Sequence, residues 1–337
     1  MRSGLQEELE ALTEEHDFSG VAVASEGTTR VATIARGLAD RANGRSIEIG
    51  TRFGIASVTK GLTALTVASL VETREIAFDT TLRSLGGDAF PTVDPAVTIE
   101  HLLRHTSGVG DYLDEEALGD VDEYVMPTPI HLLAAPRDYL GVVAGVPQRT
   151  PPGTEFRYNN GAYVMLSIAV ELATGRSFYD VVDERVLSRA AMAETAFVRS
   201  DRLPANAAIG YLADGRSNVL HLPVRGAGDG GAYSTAADLD KLWSALLDGR
   251  IVEPPLVDRL LDPGTGPQPD RHGYGIGFWL GEDDTVMLQG MDAGVSAQTA
   301  VGRGSGRSYA VISNTSSGAW PLAGRLEAWV AGRERGS

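Results

Sequence analysis

The amino-acid sequence predicts an α/β (α+β) protein: one sheet domain assembled from both ends of the chain, with a mainly helical insertion between. Three observations lead there. β-rich runs lie in the first 60 residues and again beyond 270. The stretch from about 75 to 220 is rich in helical segments, Pro and Gly instead. No internal repeat or low-complexity tract interrupts the pattern, and 337 residues suffice for a substantial core. The expected division is 1–75 with 221–337 as the sheet domain and 76–220 as the helical insertion.

Leucines 5, 9 and 12 fall on one face of a short N-terminal helix. Gly20 to Ala24 and Val31 to Ala35 read as strands around a turn at Glu26-Gly27-Thr28. Arg52 to Ala56 reads as a short strand. A helix is expected from Ser57 to about Thr73, with Leu62, Leu65, Val67, Leu70 and Val71 mostly buried. Thr98 is placed to cap a helix over Ile99 to His105. Asn160 opens another that Gly175 ends as its C′ residue, and Phe178 to Met192 forms a third. Thr235, with Asp238 three residues on, marks a capping box for a helix to Leu247. Four strands are then expected, at Tyr274 to Leu280, Thr285 to Leu288, Val295 to Val301 and Ser308 to Ser313. A helix from Trp320 to about Ala331 follows.

The net charge of −16 argues against nucleic acid as a partner and gives no polybasic anchor for anionic lipid. The absence of cysteine excludes disulfides and thiolate chemistry. The acidic, amphipathic start predicts no secretory leader and hence a cytoplasmic home; no run is long and apolar enough to predict a membrane span.

The chemistry concentrates around two lysines among 29 basic residues. Arginine stays protonated in a protein, whereas a buried lysine can give up its charge. One lysine, Lys60, stands three residues after Ser57, so the two side chains meet on one helical face. At a helix start the backbone N–H groups favour developing negative charge, so a serine there can attack while its own N–H holds the oxyanion. Lys60 serves as base only if its surroundings depress its pKa. A hundred residues on, Tyr158 and Asn160 stand two apart just before a helix. Tyr158 can relay a proton to a leaving group. Asn160 can orient Lys60 or bind a substrate carbonyl.

These motifs resemble the serine β-lactamase and penicillin-binding-protein superfamily, in its class C branch with the related family VIII esterases and D-peptidases. Phe53-Gly54-Ile55-Ala56-Ser57-Val58-Thr59-Lys60 resembles the nucleophile motif, and Tyr158-Asn159-Asn160 the Tyr-x-Asn motif. The run from Ile99 to Gly108 resembles the helix-to-loop signature, and that from Gly230 to Asp238 the strand-to-helix turn. The resemblance implies a β-lactamase/transpeptidase-like fold with an antiparallel sheet. It implies a serine hydrolase acylated on Ser57, with Lys60 and Tyr158 sharing the base and acid duties in either order and no metal or organic cofactor. The family's third motif, Lys-Thr-Gly or His-x-Gly, is matched here by Leu288-Gln289-Gly290, with leucine at the cationic position. Gln289, Gly290 and Met291 are the implied substrate-binding residues beside Asn160, the Met291 N–H as second oxyanion donor.

The resulting expectation is an esterase or amidase acting on a small, uncharged substrate. A β-lactamase or D-alanyl peptidase is an alternative that needs a cation to replace Leu288, with Arg225 or Arg157 as candidates. An acyltransferase using the same acyl-enzyme and a non-catalytic ligand-binding scaffold are the others. His101 and His105 have zinc-pair spacing but sit in the structural signature, so no metal role is expected. Gly230-Gly231 reads as a turn, and the tryptophans at 243, 279, 320 and 329 as packing; Asp292 reads as a strand-end turn residue, with a substrate ligand standing in for the missing cation as the alternative. The segment Asp111 to Gly153 is expected to border the cleft.

Overall fold

A computed structural model describes residues 4–115, 118–269 and 272–333. The strands, in chain order, are β1 Gly20–Glu26, β2 Thr29–Arg36, β3 Leu38–Asp40, β4 Arg45–Ser46, β5 Phe53–Gly54, β6 Tyr233–Ser234, β7 Gly273–Tyr274, β8 Trp279–Leu280, β9 Thr285–Asp292, β10 Val295–Gly302 and β11 Arg307–Ser313. Seven of them form one sheet in the order β2-β1-β11-β10-β9-β8-β7. Every pairing in it is antiparallel, so the N-terminal hairpin extends a C-terminal meander. Chain ends far apart in sequence meet at β1 and β11, where Gly20 faces Ser313 and Glu26 faces Arg307.

Helices cover both faces of the sheet. α1 (Gly4–Glu15) and the C-terminal helix pack on the outer face around Leu9, Phe18, Tyr309 and Leu326. On the inner face lies α2 (Thr59–Glu72), whose residues from Thr59 to Leu70 are all buried. A helix enclosed on all sides must satisfy its polar side chains internally. Thr63 donates to the Gly228 carbonyl at 2.7 Å, and Thr66 and Ser69 donate to carbonyls of their own helix. The remaining helices are α3 (Leu82–Gly86), α4 (Ile99–Leu103), α5 (Leu140–Val143), α6 (Asn160–Thr174), α7 (Phe178–Val182), α8 (Ala236–Leu247), α9 (Pro254–Leu260) and α10 (Trp320–Val330), the C-terminal one. One hydrophobic cluster runs from Val21 and Ile312 in the sheet through α2 to Tyr163 and Val182 in α6 and α7.

Several elements differ from expectation, each for a local reason. The helix expected from Ser57 begins at Thr59; Ser57 sits in a 3₁₀ turn, Ala56–Val58, entered through Ala56 at φ +42°. The Tyr274 to Leu280 run is a hairpin of two short strands, because Gly277 turns the chain at φ +87°. The strand beginning at Thr285 runs on to Asp292 because β10 pairs with it along its whole length. α4 stops at Leu103, and His105 takes a left-handed φ of +57° beyond it. The helix expected to reach Met192 leaves α-geometry at Val182 and continues as a π-helical turn over Asp183–Leu187. Thr235 caps α8, but Asp238 does not reciprocate. Its carboxylate accepts from the Glu194 N–H, the Thr195 hydroxyl and Lys241.

Candidate active site

The site lies where α2, α6 and the end of β9 converge. β5 pairs with β6, and this two-stranded ribbon delivers the chain into the Ala56–Val58 turn. Gly290 of β9 lies directly against that turn. A Cβ at Gly290 would come within 2.4 Å of the Ser57 nitrogen and 2.9 Å of the Val58 nitrogen. Only glycine lets the strand approach the turn this closely. Beyond Met287, β9 has no partner strand on the β8 side, so the stretch from Gln289 to Asp292 borders open space there.

Lys60 is 2% exposed, and its Nζ donates three hydrogen bonds: to Ser57 Oγ at 2.8 Å, Asn160 Oδ1 at 2.7 Å and the Asp229 carbonyl at 2.8 Å. The last two partners can only accept. Asn160 Oδ1 is held towards Lys60 because its amide Nδ2 donates to the Leu113 carbonyl at 3.1 Å and to Glu115 Oε1 at 3.0 Å. A neutral Lys60 amine has two hydrogens, which Asn160 and Asp229 take; its lone pair then faces the Ser57 hydroxyl. Burial lowers the Lys60 pKa from the usual lysine range, while the Asp229, Glu115, Asp111 and Asp292 carboxylates pull it back up.

Tyr158 forms the other side of the nucleophile. Its ring centroid lies 4.9 Å from Lys60 Nζ, and it lines the cavity beside Ser57. Burial drives the phenol well above its ordinary pKa, with Glu115 adding to the rise and the Ser57 hydroxyl opposing it. Both shifts disfavour charge, so they favour the pair neutral amine plus neutral phenol over ammonium plus phenolate. A phenolate at Tyr158 is therefore the disfavoured state of the free site.

Behind Tyr158 stands a buried His105, 4.4 Å away between ring centroids. Its Nδ1 accepts from the Asn159 N–H at 3.1 Å, which leaves Nε2–H to donate to Tyr274 Oη at 3.1 Å. Burial keeps this imidazole neutral, its pKa well below the usual value. His101 closes a capping box on α4: Thr98 Oγ1 accepts from the His101 N–H, and His101 Nδ1 accepts from the Thr98 N–H. Among the described residues no group of three or more His, Asp and Glu side chains forms a metal site.

A cavity of about 530 Å³ opens at Ser57, lined by Tyr158, Trp279, Gln289, Gly290, Met291, Asp292 and Trp320 among others. The structure thus brings all seven sequence-nominated residues to one place, with Asn160 just behind the wall. Two tryptophans read as packing, Trp279 and Trp320, line this cavity, whereas Trp243 and Trp329 are buried. The Tyr158 and Trp279 rings stack, with centroids 6.0 Å apart. Asp292 ends β9 at the Ala293-Gly294 turn, as its reading as a strand-end turn residue expects, and it does more than turn the chain. It lines the cavity, and burial with neighbouring Asp229 and Glu115 raises its pKa to about 7. Leu288 is 2% exposed and packs on α2, where a Cβ at Gly61 would meet its Cδ1 at 2.4 Å. Neither proposed replacement cation lines the cavity. Arg225 lies over the Tyr179 ring at 3.5 Å, and Arg157 pairs with Asp114 at 3.2 Å. Of the segment from Asp111 to Gly153, Leu113, Glu115, Leu118, Gly119 and Val121 border the cavity, while 116–117 lie outside the described residues.

Sequence reasoning missed Asp111, Glu115, His105 and Asp229. Asp111 is raised to about 6 by burial although it accepts from the Asn160 and Gly161 N–H groups at 2.7 and 2.8 Å, so it anchors the start of α6. Its only sequence signal was its place in a Gly-Asp-Tyr loop after the His-Thr-Ser-Gly run. Asp229 contributes a backbone carbonyl, which no side-chain motif announces.

Fold and site together define a class: an antiparallel sheet layered with helices that presents a Ser–Lys–Tyr cluster, its lysine buried, at the mouth of a cavity. A family model described as Beta-lactamase matches residues 5–331, and the chain belongs to that family. It is 28% identical over 297 residues to "Penicillin-binding protein 4*" of Bacillus subtilis (strain 168), covering 83% of this chain and 63% of that protein. It is 34% identical over 201 residues to "Esterase EstB" of Burkholderia gladioli, covering 57% of this chain and 50% of that one. The aligned stretches thus span about half to two-thirds of these relatives' length. Among solved structures, a penicillin binding protein from Bacillus halodurans superposes with a TM-score of 0.89 at 37% identity. That match covers 95% of this chain and 99% of the other.

Proposed function

We propose that this chain is a serine hydrolase that forms an acyl-enzyme on Ser57 and acts on a small ester or amide. The carrying observation is the three-way clamp on Lys60, whose two acceptor-only partners leave Ser57 Oγ, at 2.8 Å, opposite the amine lone pair. Ser57 Oγ attacks the substrate carbonyl while its proton passes to the neutral Lys60 amine. On this reading the oxyanion is held by the Ser57 N–H and the Met291 N–H; the close approach of Gly290, the residue before Met291, to the Ser57 nitrogen supports the pairing. Tyr158, which lines the cavity beside Ser57, carries the proton on to the leaving oxygen or nitrogen. Water then attacks the acyl-serine by the same path in reverse and Ser57 recovers its proton. The relatives support a hydrolase of this kind, since one is named an esterase and another a penicillin-binding protein.

Ser57→Ala is expected to abolish covalent labelling by a fluorophosphonate probe and p-nitrophenyl butyrate turnover. Retained turnover removes Ser57 from the role. Among the described residues no helix is long and apolar enough to cross a membrane.

A further inference from the structure

The charges around Ser57 do not balance. Four carboxylates, those of Asp229, Glu115, Asp111 and Asp292, act on one amine, Lys60. Two are used structurally. Asp111 accepts from the N–H groups at the start of α6, and Asp229 Oδ2 accepts from Tyr112 Oη at 2.5 Å. The other two, Glu115 and Asp292, line the cavity itself. Glu115 Oε1 takes the Asn160 amide, and Asp292 Oδ1 takes the Ala293 N–H at 2.9 Å. Among the described residues, no hydrogen bond reaches the second oxygen of either. Among the described residues no lining side chain is basic: the position where the family resemblance implies a cation is Leu288, and it is packed against Gly61.

An anionic substrate entering this cavity would meet two carboxylates and no counter-charge. A neutral one would leave them repelling each other as water is expelled. A cation resolves both. We propose that the substrate supplies the missing positive charge: an ester or amide whose acyl group carries an ammonium, seated among the Asp292 and Glu115 carboxylates and the Trp279 and Trp320 rings. This rests on the acyl-enzyme reading and specifies its substrate class. Aromatic rings suit an ammonium as well as apolar groups do. The bound ammonium has a second effect. It screens the carboxylates that hold the proton on Lys60, and as a like charge it favours the neutral amine that Ser57 needs. Substrate binding would thereby activate the base.

The test compares p-nitroanilides of D- and L-phenylalanine with their N-acetyl counterparts, which keep size and lose the charge. At least one free-amine enantiomer is expected to show kcat/KM roughly tenfold or more above its acetylated form, as a charged hydrogen bond implies. In Asp292→Asn that ratio is expected to fall towards one, and in Asp292→Glu to recover in part. Calorimetry with phenethylammonium against 2-phenylethanol reads the same preference as a Kd ratio, without turnover. Equal rates for charged and acetylated substrates, a ratio that survives Asp292→Asn, or tighter binding of the alcohol would each overturn the proposal. Loss of fluorophosphonate labelling and ester turnover in the wild-type chain would instead sink the acyl-enzyme reading, and the calorimetric ratio would still decide on the ammonium site.

Discussion

The two walls of the cavity are built on opposite principles. On the wall that carries Ser57 and Lys60, the Lys60 amine and the Asn160 amide that holds it are fully matched. The three Lys60 contacts lie between 2.7 and 2.8 Å, and the Asn160 amide is locked by two more bonds. On the wall formed by the end of β9 and the loop after Gly110, carboxylates face the cavity with an oxygen unused and like charges close by. The first wall is rigid because its polar groups are desolvated and must be paired. The second turns its carboxyl groups towards the cavity although burial strains the charge on Asp292, so a positive partner there would relieve it. On the proposed reading, chemistry belongs to the first wall and recognition to the second.

The sharpest way to break this contrast is Lys60→Arg. It preserves the positive charge and removes the ability to lose it. If the matched wall works through a neutral amine, kcat for a p-nitrophenyl ester is expected to fall by roughly 10³-fold, the scale of a lost general base. The wild-type pH profile gives the complementary reading. kcat/KM for a neutral ester is expected to rise with pH through the Lys60 pKa, which burial places below the usual 10.5. A rate independent of pH across the neutral and alkaline range would remove Lys60 as base.

A smaller effect is expected from Gly290→Ala, which tests the seam between the walls. Its new Cβ would press on the Ser57 and Val58 nitrogens, backbone atoms that cannot swing aside. Separating β9 from the nucleophile turn weakens the oxyanion site, so a loss of kcat of about 10²-fold is expected with KM changed less. Unchanged kcat would mean the two N–H groups do not act together.

The smallest effect is on stability. The folded carboxyls of Asp111 and Asp292 hold their protons up to about pH 6 and about pH 7, against an ordinary value of 3.8. A raised folded pKa gives stability that is full below the ordinary value and is lost as pH rises through the folded one. Asp292→Asn is therefore expected to leave Tm unchanged near pH 4 and raise it at pH 8, by roughly 2–4 °C per kcal/mol of repulsion removed. A Tm gain equal at both pH values would show that Asp292 is not strained by charge.

Legibility in the sequence followed distance along the chain. The order of strands and helices was readable because periodicity and caps are local. Gly175 ending α6 and Thr98 capping α4 are examples. The exceptions sat at irregular backbone: the left-handed Ala56 and the Gly277 turn, where a φ value rather than a side-chain pattern decides the element. Trp279 packs on neighbouring rings and Asp292 ends its strand, as read, but that both also line the cavity was not legible, because an aromatic or an acid at a strand end has the same pattern whether it faces solvent, core or cavity.

The sequence by itself determined that a serine and a lysine would touch, since three residues of helical rise leave them no other neighbourhood. Only the tertiary structure decided what that contact does. Whether Lys60 turns a proton or a lone pair towards Ser57 depends on Asn160, a hundred positions away, and on the Asp229 carbonyl, further still. Electrostatic free energy depends on separation in space and on the water excluded, and neither is written in chain order.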